Sequence, residues 1–241
     1  MPKQLYRLAT VLLLLVSLIG DVVFAGDALT PHFAEYKVKI GVLRGQMKSQ
    51  LELKNGVYES QSVVQPTGIA RIISRGSIVE MATFAVVDGR VRSTTYTGHD
   101  TLSRKGQDVS LVFNWANSEL DGAADQLQFD RALVSGTVDR ASLQYALMAD
   151  LASDRLRSEY ILQDVGESKV LSISSAGSKV VRVPFGEFNV IGITHRAANS
   201  SRETTLWCAP ALGFLPVIIE QYRDGKLSGQ ILLSAYSGSA D

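Results

Sequence analysis

Cys208 is the only thiol in the chain, and His195 is the histidine nearest to it in sequence. A cysteine beside an imidazole is the minimal equipment for a nucleophile, because the base takes the proton and a positive environment holds the thiolate. The surrounding residues pull the other way. Cys208 stands between Trp207 and Ala209 in the strand-like run "TTLWCAP", where a free cysteine commonly serves as a small buried hydrophobe. His195 falls on a neighbouring predicted strand, and nothing in the spacing obliges the two side chains to meet. An enzyme using this pair is one reading; the plainer expectation is that no residue is catalytic.

Other reactive groupings are scarce. His32, His99 and His195 lie far apart, and none has a metal-type partner two, three or four residues away. The sequence contains no HExxH, GxSxG or GxGxxG pattern and no phosphate-binding loop, so neither a metal nor a cofactor is expected. "GKLSG" at Gly225 to Gly229 follows Asp224 and reads as a hairpin turn. Asp139 precedes "RASLQYALMADLA"; it suits a helix N-cap better than a catalytic acid.

The elements that would position these residues are mostly strands. "FAEYKVKI" sets Ala34, Tyr36, Val38 and Ile40 on one face, and "DVSLVFNWA" aligns Val109, Leu111, Phe113 and Trp115. Such alternation marks half-buried strands. Asn55-Gly56, Asp88-Gly89 and Asp224-Gly225 each separate two strand-like runs, as type I′ hairpin turns do. "VPFGEF" predicts another tight reversal through Gly186. Leu143, Leu147 and Leu151 recur at four-residue intervals and predict one helix over about 139–151. "PTGIARIIS" allows a shorter helical turn, with Ile69, Ile72 and Ile73 on one side.

In "WCAPALGFLPVIIEQ", a strand ends near Ala209, "PALG" turns the chain, and "FLPVIIEQY" returns. Pro216 lacks an amide hydrogen, so it marks a sheet edge or a bulge. Leu215, Val217 and Ile219 alternate with Phe214, Pro216 and Ile218, which makes both faces apolar. Something must therefore cover each face, and the 139–151 helix is the obvious cover for one.

Composition and the N-terminus set the class. The 241 residues are 46% apolar and 20% charged, ordinary for one globular core. Lys3 and Arg7 precede "LATVLLLLVSLIG", and Val23 and Ala25 occupy the positions a signal peptidase reads. Residues 1–25 are therefore expected to be a secretory signal peptide, with 26–241 a single β-rich domain in the periplasm. Without Lys3, Arg7 and Asp21, the 24 basic and 24 acidic residues become 22 and 23. A net charge of −1 offers no field for nucleic acid or an anionic membrane. No second apolar run is long enough to span a bilayer. One cysteine leaves no internal disulfide.

These residues also carry a resemblance. "WCAPALGFLPVIIEQ" resembles the signature hairpin of the domain of unknown function 3108 family, exported bacterial proteins, in which an aromatic residue usually stands at the place of Cys208. "YKVKIGVLRGQ", "YESQSVVQPTGIARIISRGSIVE", "DGRVRSTTY", "FNWANSEL", "VDRASLQYALMADL" and "VPFGEFNV" are similar to further segments of that family in the same order. The family has no established activity. The tryptophan hairpin ending at Glu220 is more loosely similar to one in the periplasmic lipoprotein carriers, whose curved open sheets hold helices over an apolar concavity.

The expected architecture is mainly β: a strongly curved antiparallel sheet or incomplete barrel of about a dozen strands under one covering helix. Such a sheet can enclose an apolar chain. On that reading the protein is a non-catalytic periplasmic binding or carrier protein for a lipid-like ligand. Trp115, Leu143, Leu147, Trp207, Leu215, Val217 and Ile219 are the candidates to line the site, though each also fits a plain core. The alternative is an envelope structural or assembly factor that acts through protein partners.

Overall fold

The computed structural model describes residues 29–73, 75–103 and 106–238. The expected signal peptide and its cut after Ala25 lie outside the described residues. Three hairpins open the chain: β1 (His32–Ile40), β2 (Leu43–Lys54), β3 (Val57–Pro66), β4 (Ile78–Val87), β5 (Arg90–Asp100) and β6 (Gln107–Asn114). A four-residue helix, α1 (Ala70–Ile73), lies between β3 and β4. The short strands β7 (Glu119–Ala124), β8 (Leu127–Ala132) and β9 (Thr137–Val138) lead into the main helix α2 (Arg140–Ala152). Six strands complete the chain: β10 (Glu159–Asp164), β11 (Glu167–Val183), β12 (Gly186–Ala197), β13 (Arg202–Ala209), β14 (Leu215–Arg223) and β15 (Lys226–Gly238).

All fifteen strands form one sheet in the order β8-β7-β6-β5-β4-β3-β2-β1-β15-β14-β13-β12-β11-β10-β9. Neighbours are antiparallel except β9 and β10. The turn pairs explain the meander. Asn55 and Gly56 have φ of 52° and 80°, Asp88 and Gly89 of 52° and 71°, and Asp224 and Gly225 of 50° and 72°. Both positive angles are what a type I′ turn requires, and its twist suits the flanking strands. Five bulges, at Glu35/Tyr36, Thr83/Phe84, Ser175/Gly177, Trp207/Cys208 and Gln221/Tyr222, add curvature. The sheet curls without closing: β8 and β9 are its two edges. The count exceeds a dozen because β7 to β9 are short and carry little apolar alternation.

The curl is filled by α2. Ser142, Leu143 and every residue from Tyr145 to Asp150 are buried. The helix expected as a cover for the sheet therefore packs deep into the curl, and only Arg140 and Ala152 at its ends are exposed, with Ala141, Gln144 and Leu151 half-buried. Tyr145 stacks 5.2 Å from Phe84, which stacks 5.3 Å from Tyr58. Leu143 and Leu147 join the same cluster as Tyr36, Leu51, Cys208, Leu215, Val217 and Leu233. A second cluster, with Tyr96, Leu111, Phe113 and Leu120, lies under β4 to β7. The β11–β12 turn folds back onto β15, where the Phe185 N–H donates to the Leu233 carbonyl at 3.2 Å and its ring lies 6.2 Å from Tyr236.

Asp139 pins the helix. One carboxylate oxygen accepts from the Ala141 and Ser142 N–H groups at 2.9 and 2.8 Å. The other accepts from the hydroxyls of Ser142 and of Ser93 on β5, both at 2.6 Å. Ser93 in turn accepts from the Asp139 N–H at 3.1 Å. The cap expected from sequence thus also ties the β9 edge to the opposite wall of the sheet. Burial pushes the Asp139 carboxyl up, while the Ser142 and Ser93 donors pull it back. Asp139→Ala removes the cap and leaves two buried hydroxyls without their acceptor, so unfolding in urea should show a loss of about 2–4 kcal/mol. A loss under about 0.5 kcal/mol would mean that the helix is held without this carboxylate.

Candidate functional site

The thiol and the imidazole do not meet. On the β12–β13 ladder, Ile191 pairs with Cys208 and His195 with Thr204. Four residues along the strand separate them, about 13 Å. Cys208 is 1% exposed, and burial pushes its thiol up to about 12. Burial holds the His195 imidazole down to about 4, so it is neutral at pH 7 and offers no positive charge to a thiolate. Among the described residues, no group of three or more His, Cys, Asp or Glu side chains could hold a metal ion. The His99 imidazole and the Asp108 carboxylate are hydrogen-bonded across β5 and β6, and both are exposed.

The seven candidate lining residues are not brought around one hollow. Leu143, Leu147, Leu215 and Val217 are buried in the main core, and Ile219 packs against it. Trp115 is turned aside: its indole N–H donates to the Ser93 carbonyl at 2.7 Å, and Arg92 lies 4.7 Å over its ring. Trp207 is buried as part of the same cluster. Its N–H donates to Glu220 at 3.0 Å, and the Lys179 ammonium sits 3.5 Å from the ring centre. Tyr222 and Gln230 also donate to Glu220, at 3.2 and 3.1 Å. Gly192 lies opposite Trp207, and a Cβ there would come within 2.5 Å of the indole.

The return of the hairpin differs in detail from the sequence reading. Pro210–Leu212 forms a 3-10 turn, and both Gly213 and Phe214 have φ of 63°. Phe214 therefore belongs to the turn and not to the strand. Pro216 sits at a bulge, where Cys208 pairs with Pro216 and Trp207 with Ile218. Val217 is the extra residue, so the alternation of Leu215, Val217 and Ile219 does not continue through it.

A site that sequence reasoning missed lies at the end of the sheet where β1 meets β2 and β3 leads into α1. The Thr67 N–H donates to the Arg44 carbonyl at 2.9 Å and joins the two loops. Between them is an apolar hollow of about 140 Å3, lined by Val38, Ile40, Leu43, Val64, Pro66 and Ala70 among others. Next to it lies a polar hollow of about 290 Å3, lined by Arg71, Arg75, Gly76 and Ser77. Gln65 and Pro66 form part of both. Three apolar side chains stand out of this rim into solvent: Val42 is 91%, Ile72 82% and Ile69 76% exposed. The signal was present in "IGVLRG" and "TGIARI", where apolar residues occupy turns rather than strands.

A family model described as a protein of unknown function, DUF3108, matches residues 32–227, from β1 into the start of β15. The chain belongs to the DUF3108 family. Its fold is shared more widely. A solved structure, the beta-barrel-like protein of domain of unknown function DUF1849 from Brucella abortus, superposes with a TM-score of 0.58 at 12% identity. The match covers 88% of this chain and 99% of that one; at such identity it shows the fold alone. No curated protein matches the sequence.

Two measurements follow from this geometry. Cys208 should react with an aqueous thiol reagent at least about 100-fold more slowly in native protein than in denaturant, because both exposure and thiolate are lacking. Comparable rates would place the thiol at the surface. Gly192→Ala forces the Trp207 ring off the sheet and should destabilise the protein by about 1–3 kcal/mol, read by denaturant unfolding.

Proposed function

We propose that this DUF3108 protein is a non-catalytic binding protein of the periplasm whose ligand is apolar and lipid-like, and that it meets this ligand at the rim. The carrying observation is the contrast between two surfaces. The space between helix and sheet is occupied by side chains of α2, whereas the hollow between the β1–β2 turn and α1 is open and walled by aliphatic groups. Its volume suits a few methylenes of a chain, each contributing about 0.8 kcal/mol on leaving water. The N-terminal residues that resemble a secretory signal support the compartment.

Titration of detergent-free protein with a fluorescent fatty acid tests the reading. Saturable binding is expected, weakened roughly tenfold or more by Leu43→Asp, which sets a carboxylate in the hollow. Saturable binding that Leu43→Asp leaves unchanged would move the ligand elsewhere. No binding, together with reproducible protein partners on cross-linking in intact cells, would favour the envelope assembly factor instead.

A further inference from the structure

The rim carries more than a hollow. From Lys37 to Gln46 and from Val63 to Val79 the chain bears Lys37, Lys39, Arg44, Arg71 and Arg75 and no carboxylate. All five cations are exposed, and no carboxylate forms an ion pair with any of them among the described residues. Acidic groups at the same end of the sheet are engaged elsewhere, the nearest being Asp100, which pairs with Ile78 in the ladder. Asp100 accepts from Ser103 and from the Leu102 and Ser103 N–H groups. Asp125 accepts from the Asp108 N–H, and Asp164 pairs with Lys169. Asp224 lies in the turn itself, between Arg223 and Lys226.

Exposed aliphatic tips ringed by unpaired cations match one kind of surface. A bilayer with anionic headgroups offers phosphates at its face and hydrocarbon a few ångströms below, and apolar side chains flanked by lysine and arginine partition into that boundary. We propose that the rim docks on an anionic lipid bilayer. Val42, Ile69 and Ile72 enter the headgroup–acyl boundary. Arg71 and Arg75, which flank the polar hollow, take a lipid phosphate, since arginine donates to phosphate oxygens in a fixed fork. The apolar hollow that shares Gln65 and Pro66 with the polar one then faces the acyl chain of the same lipid. This assignment rests on the rim being the working surface, and it names the source of the ligand.

Flotation of the exported protein with phosphatidylcholine vesicles, with and without 30% phosphatidylglycerol, tests the docking. Binding is expected only to the anionic vesicles, and it should fall steeply with added salt. Arg71→Gln with Arg75→Gln, and separately Val42→Ser with Ile69→Ser and Ile72→Ser, should each reduce it roughly tenfold or more. These side chains are solvent-facing, so unchanged circular dichroism and thermal unfolding of the variants confirm that folding is intact. Equal binding to neutral vesicles, no binding to either, or binding unaffected by both variants would overturn the proposal. So would tight capture of inorganic phosphate without vesicle binding, or a lipid-independent dimer that the apolar variant abolishes. Fatty-acid binding that survives while vesicle binding is absent sinks the docking alone; loss of both sinks the rim as a site.

Discussion

The structure depends on one buried carboxylate. A fifteen-stranded sheet that curls but does not close has two edges and an apolar concavity, and neither is stable in water unless something fills the curl. Helix α2 does so, and Asp139 sets its depth. It caps the first turn of the helix and reaches Ser93 on the far wall. At the other end of the helix, Asp150 accepts from Tyr160 and Arg157 at 2.5 and 3.1 Å, and Arg155 donates to the Gly89 carbonyl at 3.1 Å. With both ends tied, the helix cannot slide, and its buried side chains occupy the curl of the sheet.

Much of this fold was legible in the residues. Asn55-Gly56, Asp88-Gly89 and Asp224-Gly225 identified their turns because few residue pairs accept two successive positive φ angles. Asp139 identified the helix start because a short acceptor there satisfies otherwise orphaned N–H groups. Pro216, read as a sheet edge or a bulge for want of an amide hydrogen, lies at a bulge. Strands β7 and β8 were harder to see: "ELDGAA" and "LQFDRA" have almost no apolar face, being held by ladder bonds to a sheet already formed. The depth to which α2 is buried was also hidden, because Ser142, Ala146 and Ala149 read as neutral positions in sequence yet are buried in the curl.

The site was the least legible part. The bulge at Trp207 and Cys208 interrupts the alternation from which facing was read, so the side of the sheet occupied by Leu215 and Val217 did not follow from their spacing. Trp207 could be recognised as a packed aromatic, but its bond to Glu220 depends on the β13–β14 register. That bond, with Gly192 beneath the ring, fixes the indole against the sheet. A net charge of −1 over residues 26–241 likewise averaged away the five cations that the ends of β1 and β2, with α1 and the residues after it, bring to one rim. Charge acts through its local arrangement, and the arrangement exists only once β1, β2 and β3 lie side by side.

The meeting of β1 with β15 has a bearing on how the molecule is assembled. Nearly every other strand pairs with its immediate neighbour in the chain, so most hairpins can form as soon as their own residues are available. His32 and Gly238 are partners in the ladder, and the Ser234 hydroxyl reaches the Glu35 carbonyl across 199 residues of chain. Until the last strand arrives, β1 and β14 each present a bare row of amide and carbonyl groups. A nascent chain therefore carries two adhesive flanks that its own final segment quenches, and for that interval it depends on being kept apart from its fellows.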